Sequence, residues 1–392
     1  MGAYASLQEG IDAYRNNNYS VALEMLAPFA DKGDATALLI IGMMNDSGQG
    51  VPQNKTKAVL RYRQSAERGN ALAQFTLGVL SYNGQGMQQD YKEAISWYLK
   101  AAKQGNVKAQ YNLGVMYANA QGVAQDNKEA VSWYRKAAEQ GHTLAQYNLG
   151  VMHAKGQGAL QDYDEARLWL HKAAEQGLAE AQNNLGVMYY KGQGVPQDYN
   201  EAISWYRKAA EQGNAIAQYT LGVMYANGQG TTQDIKEALS WYRKAAEQGD
   251  VIAQFNLGQM YRQGQIIPPD YTMAVKWYWK AADYGYASAQ FNLGQMYRQG
   301  LGVSRDYKVA LFLFRKAAEQ NQALAQLGLG EMYENGENVP QDLVQAYKWF
   351  RLSAASGEAD AVMKLKAAEE KMTHSQIEEA ETLAQKWLAN RK

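Results

Sequence analysis

The sequence of 392 residues contains no cysteine and carries no net charge. The absence of cysteine excludes disulfide bonds, thiolate metal sites and thiol nucleophiles. Because 39 Lys and Arg residues balance 39 Asp and Glu residues, there is no electrostatic reason to expect nucleic acid or an anionic membrane as a partner. The longest apolar run, residues 37–44, is interrupted by Gly42 and is too short to cross a bilayer.

Residues that carry chemistry are also scarce. The few histidines are scattered, and His142 and His153 have no carboxylate at metal-ligand spacing beside them. The histidines are His142, His153, His171 and His374. The segment Gly84-Gln85-Gly86 lacks the strand and helix of a dinucleotide fingerprint, so it is predicted to be a loop. We therefore predict that the protein is not an enzyme and that it binds no metal and no cofactor.

What the sequence does contain is a repeat. A glycine preceded by leucine or isoleucine recurs every 36 residues, as in 114 − 78 = 36. The glycines are Gly42, Gly78, Gly114, Gly150, Gly186, Gly222, Gly258, Gly294 and Gly330. A fixed period of this length, without insertions or deletions, indicates stacked supersecondary units.

Residues 107–142 show that each repeat predicts two helices. In the first helix, apolar side chains recur at spacings of three and four, the period of one helical face. They are Ala109, Leu113, Met116 and Tyr117. Gly114 lies among them, where glycine costs about 1 kcal/mol relative to alanine. We therefore expect another backbone to approach it too closely for a Cβ.

The second helix is predicted to begin at Asp126 and to end at Gly141. Asp126 and Glu129 match a capping box, in which both side chains bind free backbone N–H groups. The recurring tryptophans are predicted to be core residues: Trp97, Trp133, Trp169, Trp205, Trp241, Trp277 and Trp349. Because one helix pair cannot bury its apolar face alone, the repeats must stack.

These motifs carry a family resemblance. The pattern A-x-A-Q-x-x-L-G-x-M-Y, a G-x-G-V-x-x-D loop and A-x-x-W-Y-x-K-A-A-x-x-G together strongly resemble the Sel1-like repeat, a relative of the tetratricopeptide repeat. The resemblance implies an all-α, right-handed superhelical solenoid of stacked antiparallel helix pairs that binds proteins. We assign residues 1–34 to an N-terminal tetratricopeptide-like capping pair, 35–358 to nine repeats, and 359–392 to C-terminal capping helices.

An aromatic residue and an amide recur side by side on the outward stripe of the first helices, which we expect to line the concave face. Aromatic rings provide contact area at low entropic cost, and asparagine both donates and accepts hydrogen bonds. The predicted partner-binding residues are Tyr111, Asn112, Tyr147, Asn148, Asn184, Tyr219, Phe255, Asn256, Phe291 and Asn292. The alternative is that the rings pack between adjacent first helices and the amides bind water or neighbouring backbone.

Departures from the repeat add basic residues to the same stripe. One position holds Tyr82, Ala118, Ala154, Tyr190 and Ala226 and then changes to Arg262 and Arg298. Two arginines one repeat apart are suited to carboxylates on a partner. The alternative is ion pairing with local acids such as Glu331 or Glu334.

A second set of departures lies in the repeat that starts at Val251. Apolar and aromatic residues replace glycine, polar or small residues there, and they predict a second patch at the convex side or edge. They are Ile266, Ile267, Trp279, Tyr284 and Tyr286. Local repacking around the missing glycine is the alternative interpretation.

The function predicted from these features is a non-enzymatic scaffold that holds another protein or an extended peptide on its concave face. By resemblance, the partner is a secreted antibacterial effector such as a phospholipase, which makes the protein an immunity protein, or a host protein bound by a virulence factor. A β-lactam hydrolase and a polysaccharide-export scaffold are the other classes. The resemblance favours a bacterial periplasmic or secreted location, with Met1-Gly2 as an added start. A native cytoplasmic start is the alternative.

Overall fold

The computed structural model describes residues 6–264 and 268–389, and these residues form helices joined by short loops, without a strand. The chain divides into two compact units, Met1–Gln197 (unit 1) and Asp198–Lys392 (unit 2). The helices of unit 1 are α1 (Leu7–Arg15), α2 (Tyr19–Asp31), α3 (Ala35–Ser47), α4 (Lys55–Glu67), α5 (Ala71–Asn83), α6 (Tyr91–Lys103), α7 (Val107–Ala118), α8 (Asn127–Glu139), α9 (Thr143–Lys155), α10 (Tyr163–Glu175) and α11 (Ala179–Lys191).

Unit 2 continues the same series. Its helices are α12 (Tyr199–Glu211), α13 (Ala215–Asn227), α14 (Ile235–Glu247), α15 (Val251–Gln263), α16 (Tyr271–Asp283), α17 (Ala287–Gln299), α18 (Tyr307–Ala318), α19 (Ala323–Asn335), α20 (Leu343–Ala355), α21 (Ala359–Glu369) and α22 (His374–Ala389). Within each unit, the helices α1 to α11 and α12 to α21 pack against their neighbours in the chain, and α22 packs against α20. The predicted all-α class of paired helices is confirmed.

The core of each helix pair holds the residues that the period selects. Ala109 and Leu113 are inaccessible to solvent and Met116 is 1% exposed. The seven recurring tryptophans are also buried, as predicted. The lysine three residues after most of them lies over the indole ring, as Lys136 does over Trp133 at 4.0 Å. These tryptophans are therefore buried in the core, and most of them have a lysine ammonium over one face of the indole ring.

The repeated glycine in the first helix makes room for a side chain of the second helix, in most repeats an aromatic ring, and not for a neighbouring backbone. A Cβ added at Gly222 would lie 2.5 Å from Cδ1 of Tyr242 on the next helix. The same relation joins Gly78 to Tyr98, and a leucine, Leu170, takes the place of the ring beside Gly150. The expectation of a close backbone was therefore wrong, because a bulky second-helix side chain fills that space.

The predicted capping box is half correct. Oδ1 of Asp126 accepts hydrogen bonds from the N–H groups two and three residues later, at 2.9 and 3.1 Å. The N–H of Asp126 itself donates to the Tyr117 carbonyl at 3.0 Å, so it does not need the Glu129 side chain. In a sister repeat, the equivalent Glu165 instead accepts from Nε1 of Trp169 at 2.7 Å. The aspartate caps the helix, and the glutamate accepts from the indole in the repeats of Trp97 and Trp169.

A buried glutamine links three consecutive helices through two hydrogen bonds, a role that we did not predict. Gln110 is 5% exposed. Its Nε2 donates to the carbonyl of Ala102 on α6 at 3.1 Å, and its Oε1 accepts from Nε2 of Gln140, just after α8, at 2.8 Å. One amide therefore connects three consecutive helices.

The last helix covers the end of unit 2. The rings of Trp349 and Trp387 meet edge to face at 4.8 Å, and Ala380 and Ala384 are buried. Because α22 brings its apolar side chains onto α20, the final repeat does not end on an exposed core.

Candidate interaction surface

We call the twelve predicted partner-binding residues on the first helices the first-helix stripe. Its aromatic rings are half-buried, because each packs on the second helix of its own repeat. The ring of Tyr111 lies 5.9 Å from that of Tyr134 and stacks on His142 at 4.5 Å. Phe255 lies 5.8 Å from Tyr278. These rings therefore offer an edge, not a whole face, to a partner.

The amides of the stripe contact tyrosine hydroxyls of the preceding repeat. Burial raises the pKa of Tyr111 and of Tyr134, and a hydrogen bond with Asn148 acts in the opposite direction on both phenols. Burial likewise raises the pKa of Tyr98 to about 12 against the hydrogen bond with Asn112. Asn184 and Asn256 stand in the same relation to Tyr147 and Tyr219. The amides thus lie against phenols of the preceding repeat, side chain to side chain.

Between these contacts, cavities open along the stripe in unit 1. One of them measures 400 Å³ and has Tyr111, Ala118, Asn148 and Val151 in its lining. A second, of 180 Å³, is lined by tyrosines, Asn112 and apolar side chains. A third, of 110 Å³, includes Asn184 in its wall. The stripe therefore combines ring edges, amides and recesses within single helix pairs and their neighbours.

The two arginines of the stripe have different surroundings. Arg298 is 15% exposed and donates to Glu331 at 2.5 Å and to both carboxylate oxygens of Glu337 at 2.7 and 3.0 Å. This is the local ion pairing that the sequence left open as an alternative, with Glu337 in place of Glu334. Glu334 instead pairs with Lys364 at 2.8 Å. Arg262 is half-buried, and none of the described acidic residues lies within ion-pair distance of it.

The second predicted patch is only partly assembled. Ile266 and Ile267 lie outside the described residues. Tyr286 turns to the first helix before it and meets Phe255 edge to face at 5.1 Å. Trp279 and Tyr284 remain, and they are 55% and 70% exposed.

A residue that sequence reasoning missed completes this surface. Phe312 on α18 is 58% exposed and lines a cavity of 510 Å³ together with Trp279. We call Trp279, Tyr284 and Phe312 the outer patch. The signal for Phe312 was present in the sequence, because sister repeats carry serine at that position, for example Ser132 and Ser204.

Two members of the outer patch replace residues that connect helices elsewhere. Where Trp279 stands, sister repeats carry an arginine such as Arg243, which donates to the Tyr261 hydroxyl at 2.7 Å. Where Tyr284 stands, they carry the glutamine that bonds the buried amide. As a result, Oε1 of Gln254 is buried without a hydrogen-bond partner among the described residues. Both replacements remove stacking contacts and expose rings.

The histidines have structural surroundings. Nδ1 of His142 accepts from the N–H of Ala145 at 3.3 Å and caps α9, and His153 lies 3.1 Å from a nitrogen of Arg135. In the described ranges, no three His, Asp or Glu side chains are grouped to hold a metal ion. Nor does any helix there have the length and apolar character needed to cross a membrane.

Comparisons with known proteins agree with this architecture. A family model described as the Sel1 repeat matches nine consecutive segments: 35–70, 71–106, 107–142, 143–178, 179–214, 215–250, 251–286, 287–322 and 323–358. The chain is similar to a protective antigen of uropathogenic Escherichia coli with an SLR fold, at 37% identity and a TM-score of 0.86, over 98% of this chain and 83% of that one. A search of curated proteins finds no significant match.

Two further solved structures show how the likeness declines. A Sel1 repeat protein from Oxalobacter formigenes has 35% identity and a TM-score of 0.66, over 79% of this chain and 90% of that one. The immunity protein Pa5087 from Pseudomonas aeruginosa has 23% identity and a TM-score of 0.31, over 54% and 81%, which is too distant to bear on function. From the nine matched repeats and the two relatives above 30% identity, we conclude that the chain belongs to the Sel1 repeat family.

Proposed function

We propose that this Sel1 repeat chain is a non-enzymatic scaffold that holds another protein or an extended peptide on the first-helix stripe. The observation that carries the proposal is the row of cavities along the stripe in unit 1, of 400, 180 and 110 Å³. Their walls combine tyrosine rings, amides and valines. Recesses of this composition accept apolar side chains and offer hydrogen bonds to an adjacent backbone.

The contacts within the stripe define how a partner would be recognised. Because the Asn148 amide lies beside the hydroxyls of Tyr111 and Tyr134 and the rings pack on the second helix, the surface is partly preorganised, which limits the side-chain entropy lost when a partner binds. The partner would then contact ring edges and the remaining hydrogen-bonding capacity of each amide. This arrangement favours a partner that inserts side chains into the recesses over one with a flat surface.

The outer patch is proposed as a second contact surface. Exposed aromatic residues are enriched among those that dominate binding energy, and here they replace residues that would have stabilised the stack. Asp283, Lys316 and Glu319 line the cavity together with the rings. A mixed polar rim around an aromatic centre is the usual anatomy of a protein–protein contact.

We further propose an exported location, periplasmic or secreted. The proposal draws on the similar Escherichia coli protein, 37% identical, which is a protective antigen. An exported partner, such as a secreted effector or a host protein, fits that location.

Filling the cavities tests the proposal without breaking the stack. Ala118→Tyr and Ala154→Tyr place a ring in the 400 and 110 Å³ cavities, and the repeat tolerates tyrosine there because Tyr82 occupies the equivalent position. We expect the double variant to keep its helical content and to lose the protein that wild type captures from periplasmic and secreted fractions. Mass spectrometry identifies the captured protein, and its affinity is then measured with purified components.

The matched control adds the same ring elsewhere. Ser132→Tyr changes an exposed position on the second helix that accommodates an aromatic residue in Phe312. It should retain the partner. A captured protein that binds the cavity-filled variant as tightly as wild type would show that the stripe is not the binding surface.

A further inference from the structure

The C-terminal end of a first helix contacts the following repeat at two positions, one on its first helix and one in the loop after that helix. Nε2 of Gln121 donates to the hydroxyl of Tyr82, 39 residues earlier, at 2.8 Å. Arg298 bonds Glu337, also 39 residues later, and Glu331, 33 residues later. The repeat therefore brings position n close to positions n + 33 and n + 39 on the next helix and in its loop.

Arg298 shows what an arginine at this position binds. Its guanidinium is 15% exposed and donates to both oxygens of Glu337 and to one oxygen of Glu331. Paired N–H donors on a carboxylate are among the strongest hydrogen bonds that a protein makes. The site of Arg298 is therefore a complete carboxylate receptor, filled by the chain itself.

Arg262 occupies the same position one repeat earlier, but no acidic residues stand at the positions equivalent to Glu331 and Glu337. The residues 33 and 39 positions later are Gln295 and Leu301, and neither carries charge. No carboxylate of the described residues pairs with Arg262, although the side chain is half-buried. An arginine stays protonated in proteins, so this charge is partly desolvated without compensation.

A second group beside Arg262 also lacks a partner. Tyr278 is inaccessible to solvent, and its hydroxyl has no partner in hydrogen-bond geometry among the described residues, although the Asn292 amide lies beside it. Burial raises the pKa of Tyr278 to about 12, and the positive charge of Arg262 acts in the opposite direction. The guanidinium and an unsatisfied phenol therefore lie close together.

We propose that Arg262 receives a carboxylate side chain from an acidic segment of the partner protein. The incoming carboxylate takes the place that Glu331 and Glu337 take at Arg298, and Gln295 stands at the Glu331 position with an amide that donates to the same group. This inference rests on the proposed binding function and adds the chemistry of the partner. Charge complementarity, with an intramolecular copy one repeat away, is the argument for an acidic occupant.

The test uses a fluorescein-labelled octaglutamate peptide, with octaglutamine as the neutral comparison, and fluorescence anisotropy at low and at physiological ionic strength. Wild type should bind octaglutamate and not octaglutamine. Arg262→Gln should bind it about tenfold more weakly, the loss expected for one charge-assisted contact. Arg305→Gln removes one exposed positive charge in the next loop and should leave the affinity within about twofold.

A second variant keeps the arginine and fills its receptor. The double change Gln295→Glu and Leu301→Glu rebuilds around Arg262 the acids that surround Arg298, so it should weaken octaglutamate binding at least as much as Arg262→Gln while the helical content is unchanged. Equal losses in Arg262→Gln and Arg305→Gln, or no loss in Arg262→Gln, would overturn the proposal.

The same variants separate this inference from the proposed function. A natural partner that depends on Ala118 and Ala154 but binds Arg262→Gln normally would sustain the scaffold function and refute the carboxylate receptor. Octaglutamate binding that depends on Arg262, without a captured partner, would sustain the receptor and count against the scaffold function.

Discussion

Nε2 of Gln140 donates to Oε1 of Gln110 at 2.8 Å and so joins the two helices of one repeat at a buried point. Nε2 of Gln110 in turn donates to the carbonyl of Ala102 on the preceding helix, α6. The bond between the two amides recurs in Gln104–Gln74, Gln176–Gln146, Gln248–Gln218 and Gln320–Gln290. The amide of Gln110 is buried, and both its Nε2 and its Oε1 have hydrogen-bond partners. It therefore fixes the distance between three helices.

Removing this amide should destabilise the stack. Gln110→Leu removes two hydrogen bonds, one to the Ala102 carbonyl and one from the Gln140 amide, and each hydrogen bond contributes about 0.5–1.5 kcal/mol. We expect the free energy of unfolding to fall by at least that amount in urea titrations followed by circular dichroism. Gln125→Leu is the control, because Gln125 donates to the Ala118 carbonyl from an exposed position. Equal losses in both variants would contradict the role assigned to burial.

Restoring the missing member of this series should have the opposite effect. Tyr284→Gln supplies a donor to the orphaned Oε1 of Gln254, and we expect a gain in stability of about 0.5–1.5 kcal/mol. Tyr284→Ala removes the ring without adding a donor, so it should bring no such gain. If the ring is a partner contact, Tyr284→Gln also lowers partner affinity, which separates binding from stability in one variant.

The 36-residue period predicted what is determined within a single helix and its cap. The helix pairs, the core positions of Leu113 and Trp133 and the capping aspartate Asp126 follow from local spacing, turn chemistry and apolar faces. Their surroundings in the structure agree with that reasoning. The half of the capping box that failed did so because a tertiary bond, from the N–H of Asp126 to Tyr117, had already satisfied the donor.

Contacts between helices, within a repeat or between repeats, could not be predicted from the sequence. Gln110 was visible in the motif, but its role depends on which residues meet at separations of 8 and 30 positions. Likewise Arg262 and Arg298 are equivalent in sequence, and only the approach of Glu331 and Glu337 makes them different. These contacts depend on how the helices stack, and the residue pattern of one repeat does not determine that geometry.

The contact between Gly222 and Tyr242 gives a steric prediction. In Gly222→Ala, the new Cβ lies 2.5 Å from the ring, so the helices must separate, and overpacking of this kind costs about 1–3 kcal/mol. Tyr242→Ala should relieve the clash, because the three atoms nearest to the new Cβ all belong to the Tyr242 ring. A double-mutant cycle in urea should therefore give a favourable coupling energy. Additive losses would show that the ring is not what excludes the Cβ.

The ion pairs of Arg298 predict a pH dependence that can be assigned to one carboxyl. Burial acts to raise the pKa of Glu337, but the hydrogen bonds and charge of Arg298, with a hydrogen bond from Asn335, hold it below the ordinary value of 4.5. A carboxyl with a lowered pKa in the folded state stabilises the fold above its unfolded pKa, and this contribution disappears as the pH falls through the folded value.

We therefore expect Glu337→Gln to lower Tm at neutral pH and the difference from wild type to shrink as the pH falls below about 4.5. Thermal melts of both proteins across this range measure the difference directly. Glu319→Gln is the control, since that carboxylate is half-exposed and lies 4.0 Å from Lys316, where screening leaves little energy. Its melting difference from wild type should stay small at every pH. A Glu337→Gln difference that persists unchanged in acid would mean that the side chain stabilises unit 2 by packing, with no contribution from its charge on Arg298.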